Sequence, residues 1–149
     1  MLADAILLSG IELPFQVPDI FPFTDKLLLM VISSVKEILY PYKPSSKNYK
    51  LWKKYYSGAN GLFSVVIKSK KKSSVVKFVN SLELFGIGYS WGGFESLVLL
   101  QELRTNTKYT QTRQYLRFAK DEHIVRFHIG LEDPKDLIKD LKRSLRYIK

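Results

Sequence analysis

The chain contains no cysteine and only two histidines among its 149 residues. Without cysteine there is no disulfide, no thiolate nucleophile and no cysteine-ligated zinc. His123 and His128 cannot by themselves build a histidine-rich metal centre. The absence of cysteine agrees with a reducing cytoplasm, where we expect the protein to be located.

Long apolar runs are missing as well. The longest one near the N-terminus, residues 27–32, is far shorter than the roughly 20 residues that a membrane-spanning helix needs. An acidic residue, Asp4, stands where a signal peptide would have a basic start. We therefore predict neither a membrane span nor secretion.

Positive charge is in excess, because 24 Lys and Arg oppose 14 Asp and Glu, for a formal net charge of +10. Such a net charge makes nucleic acid and anionic membranes candidate partners of the protein. The cations are scattered, however, and the densest run, residues 68–72, lies between two periodic segments like a solvated turn. No base-stacking motif accompanies it, so nucleic-acid binding is disfavoured.

Hydrophobic patterning predicts one α+β domain with about four mostly antiparallel strands and helices packed on one sheet face. Before this domain, prolines recur every four residues from Pro14 to Pro22, and residues 25–39, which extend into the domain, have helical composition. We interpret residues 1–34 as an irregular or partly helical lead and residues 35–149 as the domain. The strands are expected at residues 62–68, within 85–96, at 96–100 and at 124–129.

Two helix starts are predicted from capping residues. Ser73 or Ser74 precedes apolar residues that recur at helical spacing as far as Leu82. Asp133 is followed by Pro134, the order expected of an N-cap and the first helical position.

The glycine-rich residues 85–96 are the most informative segment, with four glycines around Ser90 and Trp91. Glycine permits turns and close backbone approach, so the segment indicates either a shaped site or a strand with a bulge near its end. Ser90 could donate to a carboxylate, and Trp91 could line a pocket or fill core volume. The contexts of a nucleophile elbow and of a dinucleotide-binding loop are both missing.

Arg126 is the second candidate for a binding role. Alternation along the last predicted strand places it off the core face together with His128, to which we assign no role. A guanidinium matches a carboxylate bidentately, which makes Arg126 a natural anchor for an amino-acid substrate. The alternative is a structural ion pair with Glu95, Glu132 or Asp133.

Five motifs occur in order at residues 39–41, 51–53, 57–64, 84–97 and 126–133. Together they resemble the C-terminal domain of the trans-sulfuration enzymes, the pyridoxal-phosphate enzymes of cysteine and methionine metabolism. Trp91, in the run Ser-Trp-Gly-Gly, makes the chain most similar to bacterial cystathionine β-lyases, since the γ-synthases and γ-lyases usually have leucine there.

The resemblance implies the substrate side of an amino-acid site. In the family, the arginine matching Arg126 and the serine matching Ser90 hold the substrate α-carboxylate, and the tryptophan matching Trp91 lines the pocket. The family reaction eliminates homocysteine from cystathionine and leaves pyruvate and ammonia. It depends on a lysine that carries the cofactor, and that lysine, with the segment that binds the cofactor phosphate, has no match in this chain.

We therefore expect a C-terminal fragment of a cystathionine β-lyase-like enzyme that is inactive alone and does not bind pyridoxal 5′-phosphate covalently. It would act on cystathionine only with an upstream cofactor-domain chain. The alternative is a basic interaction module that reuses the domain without catalysis. We also expect the chain to self-associate through the faces that the larger domain would cover. A membrane partner is not expected.

Overall fold

The computed structural model describes residues 35–101 and 119–148, so the predicted lead, residues 1–34, lies outside the described residues. Within these ranges the chain forms one mixed five-stranded sheet with the strand order β1-β2-β5-β4-β3. The strands are β1 (Val35–Leu39), β2 (Leu62–Lys68), β3 (Gly86–Ile87), β4 (Leu97–Gln101) and β5 (Glu122–His128).

The central strand of the sheet is β5, which runs antiparallel to both of its neighbours, β2 and β4. At the edges, β1 is antiparallel to β2 and β3 is parallel to β4. The predicted α+β class and the mostly antiparallel sheet are confirmed, although the described strands number five rather than about four.

Helices cover one face of this sheet. The described helices are α1 (Tyr49–Tyr55), α2 (Lys72–Asn80) and α3 (Pro134–Leu145). Residues of α2 and α3 share a core with the alternate residues of β2, β4 and β5. At its centre, the ring of Phe127 contacts those of Phe63, Phe78 and Phe85. Because successive strand residues point to opposite faces, Arg126 lies on the face away from α2 and α3.

The start of α3 is as predicted. Pro134 is the first helical residue, and the Asp133 carboxylate accepts a hydrogen bond from the Lys135 amide at 2.8 Å. This bond satisfies one of the amides that the first turn of a helix leaves without a partner.

Two local predictions are wrong. The helical composition of residues 25–39 does not produce a helix in the described part, where Val35–Leu39 forms an edge strand instead. Pairing with β2 and burial of Ile38 outweigh the weak helical preference of so short a segment. The predicted caps Ser73 and Ser74 lie inside α2, because the chain leaving β2 turns into the helix earlier than the pattern indicated.

A buried carboxylate ties α3 to the chain that follows α2. Asp140 accepts hydrogen bonds from the amides of Glu83 and Leu84, at 2.9 and 2.8 Å, and from the Arg143 guanidinium at 2.6 Å. Arg143 also hydrogen-bonds to the Glu83 carboxylate and so lowers the pKa of that group. These contacts fix where the chain enters β3, and with it the start of the glycine-rich segment.

Most of the glycine-rich segment is a loop. Only Gly86–Ile87 pairs with β4, and the chain then leaves the sheet until Leu97. We call residues 88–96 the Ser90 loop. Among the described residues, no helix has the length and apolar character needed to cross a bilayer.

Candidate functional site

The Ser90 loop lies against the sheet face that α2 and α3 leave uncovered. On this face, Arg126 of β5 sits between Ser64 of β2 and Leu99 of β4 in the strand register. His128 follows two residues further along β5, on the same face. Both side chains contact the loop, so the loop is set against the central strand of the sheet.

Arg126 and Ser90 are neighbours in the fold although they lie 36 residues apart in sequence. The Arg126 Nη2 donates to the carbonyl oxygen of Ser90 at 3.0 Å. The Ser90 Oγ accepts from the Gly92 amide at 3.2 Å and keeps its own hydrogen to donate. A guanidinium has five N–H donors, so the bond to Ser90 leaves others for a further acceptor.

The ion pairs considered for Arg126 are not formed among the described residues. Asp133 caps α3 instead. Glu132 accepts from the amide and the hydroxyl of buried Ser96, at 2.8 and 2.7 Å. Burial opposes ionisation of Glu132, but these hydrogen bonds outweigh it and lower the pKa of the carboxyl. Glu95 is exposed, so Arg126 faces the loop without a described carboxylate to neutralise it.

Trp91 does not fill core volume, which removes one of its two predicted roles. Its side chain is 81% exposed, and the loop neighbours Tyr89 and Phe94 are 86% and 71% exposed. An exposed indole next to Ser90 is available to a ligand or to a partner domain. That Trp91 lines a substrate pocket stays a prediction.

His128 is a site residue for which the sequence indicated no role. Its Nε2 lies 3.2 Å from the amide nitrogen and 3.1 Å from the carbonyl oxygen of Gly93. Its ring packs on Gly92, where φ is +112° and a Cβ would overlap the imidazole. Glycine alone adopts this backbone conformation without strain. The Gly92-Gly93 pair was the signal in the sequence, but only the fold connects it with His128.

The comparisons with known proteins first define the class of this domain. The structure of the cystathionine γ-synthase from Xanthomonas oryzae pv. oryzae, in complex with cystathionine, has the same fold, with a TM-score of 0.67. The match covers 85% of this chain and 33% of that one, at 21% sequence identity. The domain therefore shares its fold with about a third of that enzyme.

The family follows from the sequence comparisons. The model of the Cys/Met metabolism PLP-dependent enzymes matches residues 28–146, and the chain belongs to this family, as the motifs predicted. It is 41% identical over 111 residues to the cystathionine β-lyase of Bordetella avium. It is 36% identical over 114 residues to the L-alanine/L-glutamate racemase of Wolbachia pipientis wMel. These matches cover 74% and 76% of this chain but only 26% and 27% of the relatives.

Pyridoxal phosphate, on which the family depends, does not fit the groups around Arg126. A Schiff-base lysine must reach the cofactor, yet Lys68 lies four residues along β2 from Ser64, about 13 Å away. The carboxylate of Glu122 is equally far from Arg126 along β5 and bonds to Lys36. Arg126 and Ser90 thus offer donors for a carboxylate ligand, whereas the charged residues of β2 and β5 on the same face, Lys68 and Glu122, are too far from Arg126 to hold the cofactor.

Proposed function

We propose that this chain is the substrate-binding part of a cystathionine β-lyase-like enzyme, in which Arg126 and Ser90 hold the α-carboxylate and Trp91 borders the substrate side chain. The observation that carries the proposal is the 3.0 Å contact between Arg126 and Ser90 on the sheet face opposite α2 and α3. The family and the 41% identity to a cystathionine β-lyase support the same assignment.

The donors of this site are suited to a carboxylate. The remaining N–H groups of Arg126 form a planar fork that can pair with both carboxylate oxygens. The Ser90 hydroxyl adds a further donor beside it, since its oxygen, not its hydrogen, is used by Gly92. Arg126 is half-buried, which strengthens its attraction for an anion relative to a fully solvated arginine. The contribution of this chain is therefore to bind the amino acid and orient its α-carbon.

The reaction that we assign to the complete site is elimination from cystathionine, which with one water yields homocysteine, pyruvate and ammonia. When bound, pyridoxal phosphate supplies the electron sink that allows the α-proton to leave. Because the residues around Arg126 do not fit that cofactor, a cofactor-bearing domain in the same or another polypeptide must complete the site. We expect no turnover by this chain alone.

Similarity to the Wolbachia racemase supports a second reaction, racemisation of an amino acid. Both reactions begin with the loss of an α-proton from an amino acid that is held by its carboxylate, so Arg126 and Ser90 would serve either one. Elimination additionally needs a leaving group on the β-carbon, whereas racemisation returns the proton to the opposite side. The products distinguish the two.

The test is a chimera in which residues 35–149 replace the matching part of the Bordetella avium enzyme. Cofactor absorbance reports that the upstream part is folded, pyruvate release reports elimination, and chiral analysis of alanine and glutamate reports racemisation. Arg126→Ala should raise KM for cystathionine about 10- to 150-fold, since a hydrogen bond to a charged group contributes roughly 1.5–3 kcal/mol. Arg146→Ala, which removes an exposed arginine at the end of α3, is the matched control.

Two results would contradict the proposal. One is an active chimera in which Arg126→Ala behaves like Arg146→Ala. The other is a chimera with full cofactor absorbance that neither releases pyruvate nor racemises the amino acids.

One observation favours a basic interaction module as the other candidate function. Between Glu37 and Glu83 the chain has ten lysines and no acidic residue. In this stretch, α1 buries none of its residues and exposes Leu51 and Tyr55. Anisotropy of a labelled single-stranded oligonucleotide tests the idea, because lysine–phosphate contacts weaken steeply as salt rises. Absence of binding at low salt would reject this module.

A further inference from the structure

Two side chains of β5 hold the Ser90 loop, and only one of them is assigned to the ligand. Arg126 bonds to the Ser90 carbonyl oxygen, and its remaining N–H groups are the ones assigned to the ligand carboxylate. His128 bonds to Gly93 instead. The attachment through His128 therefore does not depend on what Arg126 binds.

The contact of His128 with the loop is closely fitted. Nε2 lies within hydrogen-bond distance of both the amide and the carbonyl of Gly93, while Nδ1 is buried and has no hydrogen-bond partner. All hydrogen bonding of the ring thus passes through Nε2. The ring occupies the space that a side chain at Gly92 would need, so steric fit and hydrogen bonding fix the same part of the loop.

We propose that His128 is a positioning residue that keeps the Ser90 hydroxyl directed toward the ligand while Arg126 is engaged by the carboxylate. His128 fixes Gly93, the Gly92 amide bonds to the Ser90 Oγ, and these two contacts set the orientation of the Ser90 hydroxyl. The role in ligand binding rests on the proposed function, whereas the attachment of the loop does not.

Two substitutions separate the hydrogen bond from the volume of the ring. His128→Leu keeps an apolar side chain of moderate size and removes Nε2. His128→Gln places an amide group, which can both donate and accept, at a similar distance from the backbone. Gly92→Ala is an independent variant, since its Cβ would displace the imidazole while His128 itself is retained.

The first measurement uses the full chain without cofactor. In His128→Leu, the Gly93 amide should exchange its hydrogen about 2- to 13-fold faster, the change expected from the loss of one hydrogen bond between neutral groups. Gly92→Ala should accelerate exchange of the same amide, and His128→Gln should restore most of its protection. The Ser96 amide, which Glu132 holds, should keep its exchange rate in every variant. Unchanged exchange of Gly93 in His128→Leu would overturn the proposal.

The second measurement uses the chimera. His128→Leu should raise KM for cystathionine about tenfold with a smaller change in kcat, and His128→Gln should recover most of the loss. A faster-exchanging loop with unchanged KM would overturn the positioning role. If Arg126→Ala has no effect, the proposed function fails, and the exchange result for Gly93 still decides whether His128 holds the loop.

Discussion

Replacing Glu132 by alanine should lower the free energy of unfolding by about 2–4 kcal/mol. The Glu132 carboxylate accepts from the amide and the hydroxyl of Ser96, a residue that is 1% exposed. Each buried donor left without an acceptor costs about 1–3 kcal/mol. Because Glu132 is itself partly exposed, water replaces some of the lost hydrogen bonding, so the loss should lie in the lower half of the range of about 2–6 kcal/mol for two buried donors.

Glu132→Gln should cost less, about 1 kcal/mol, since the amide oxygen still accepts one of the two hydrogen bonds. This smaller difference should depend on pH. The folded-state pKa of Glu132 lies below the ordinary value of 4.5, so the carboxylate stabilises the fold fully above that value. The advantage of the wild type over Glu132→Gln should therefore shrink as the pH falls below about 4.5.

Urea unfolding of dilute protein, followed by far-ultraviolet circular dichroism, measures these differences at neutral and acidic pH. Glu95→Gln is the matched control, because Glu95 is an exposed neighbour for which a change within about 0.5 kcal/mol is expected. A Glu132→Ala variant as stable as this control would refute the reasoning, as would a wild-type advantage over Glu132→Gln that persists unchanged in acid.

Three further predictions concern stability and association. Gly130→Ala should destabilise the chain by at least about 2 kcal/mol in urea unfolding, because its Cβ would overlap backbone atoms of residues 94–96, whereas Gly58→Ala, in open space, should be nearly neutral. Burial raises the pKa of Tyr40 to about 12 from 10.0, so the free energy of unfolding should fall as the pH rises above 10, and Tyr40→Phe should lose this part of the dependence. The exposed aromatic side chains around Trp91 should make the isolated chain self-associate; a monodisperse monomer by light scattering would contradict this.

The candidate site was predictable in part because one strand carries a plain alternation. Apolar residues at every second position of β5 place Arg126 off the core face without knowledge of any other strand. The resemblance then associated Arg126 with Ser90, and the fold brings the two together. The weakest predictions were those of local capping and of short elements, such as Val35–Leu39, where strand pairing outweighed helical composition.

Other contacts could not be predicted because they join residues that no local pattern relates. Asp140 accepts from backbone amides that lie 57 and 56 residues earlier in the chain. In the sequence, Glu132 is an acidic residue next to the N-cap of α3 and a candidate ion-pair partner of Arg126, yet it accepts a hydrogen bond from Ser96, immediately before β4. Backbone amides have no signature in the sequence, so a carboxylate that binds them resembles an ordinary surface acid until the chain is folded.

The sequence by itself determined the family, the α+β class and the faces of the strands, because these depend on ordered motifs and on the short-range periodicity of apolar residues. Only the tertiary structure decided what holds the Ser90 loop. Three contacts hold it, and each joins residues more than 30 positions apart in the chain. They are the hydrogen bond from Arg126 to Ser90, the packing of His128 against Gly92 and Gly93, and the hydrogen bond from Ser96 to Glu132. Their partners are set by strand register and close packing, which exist only once the sheet has formed.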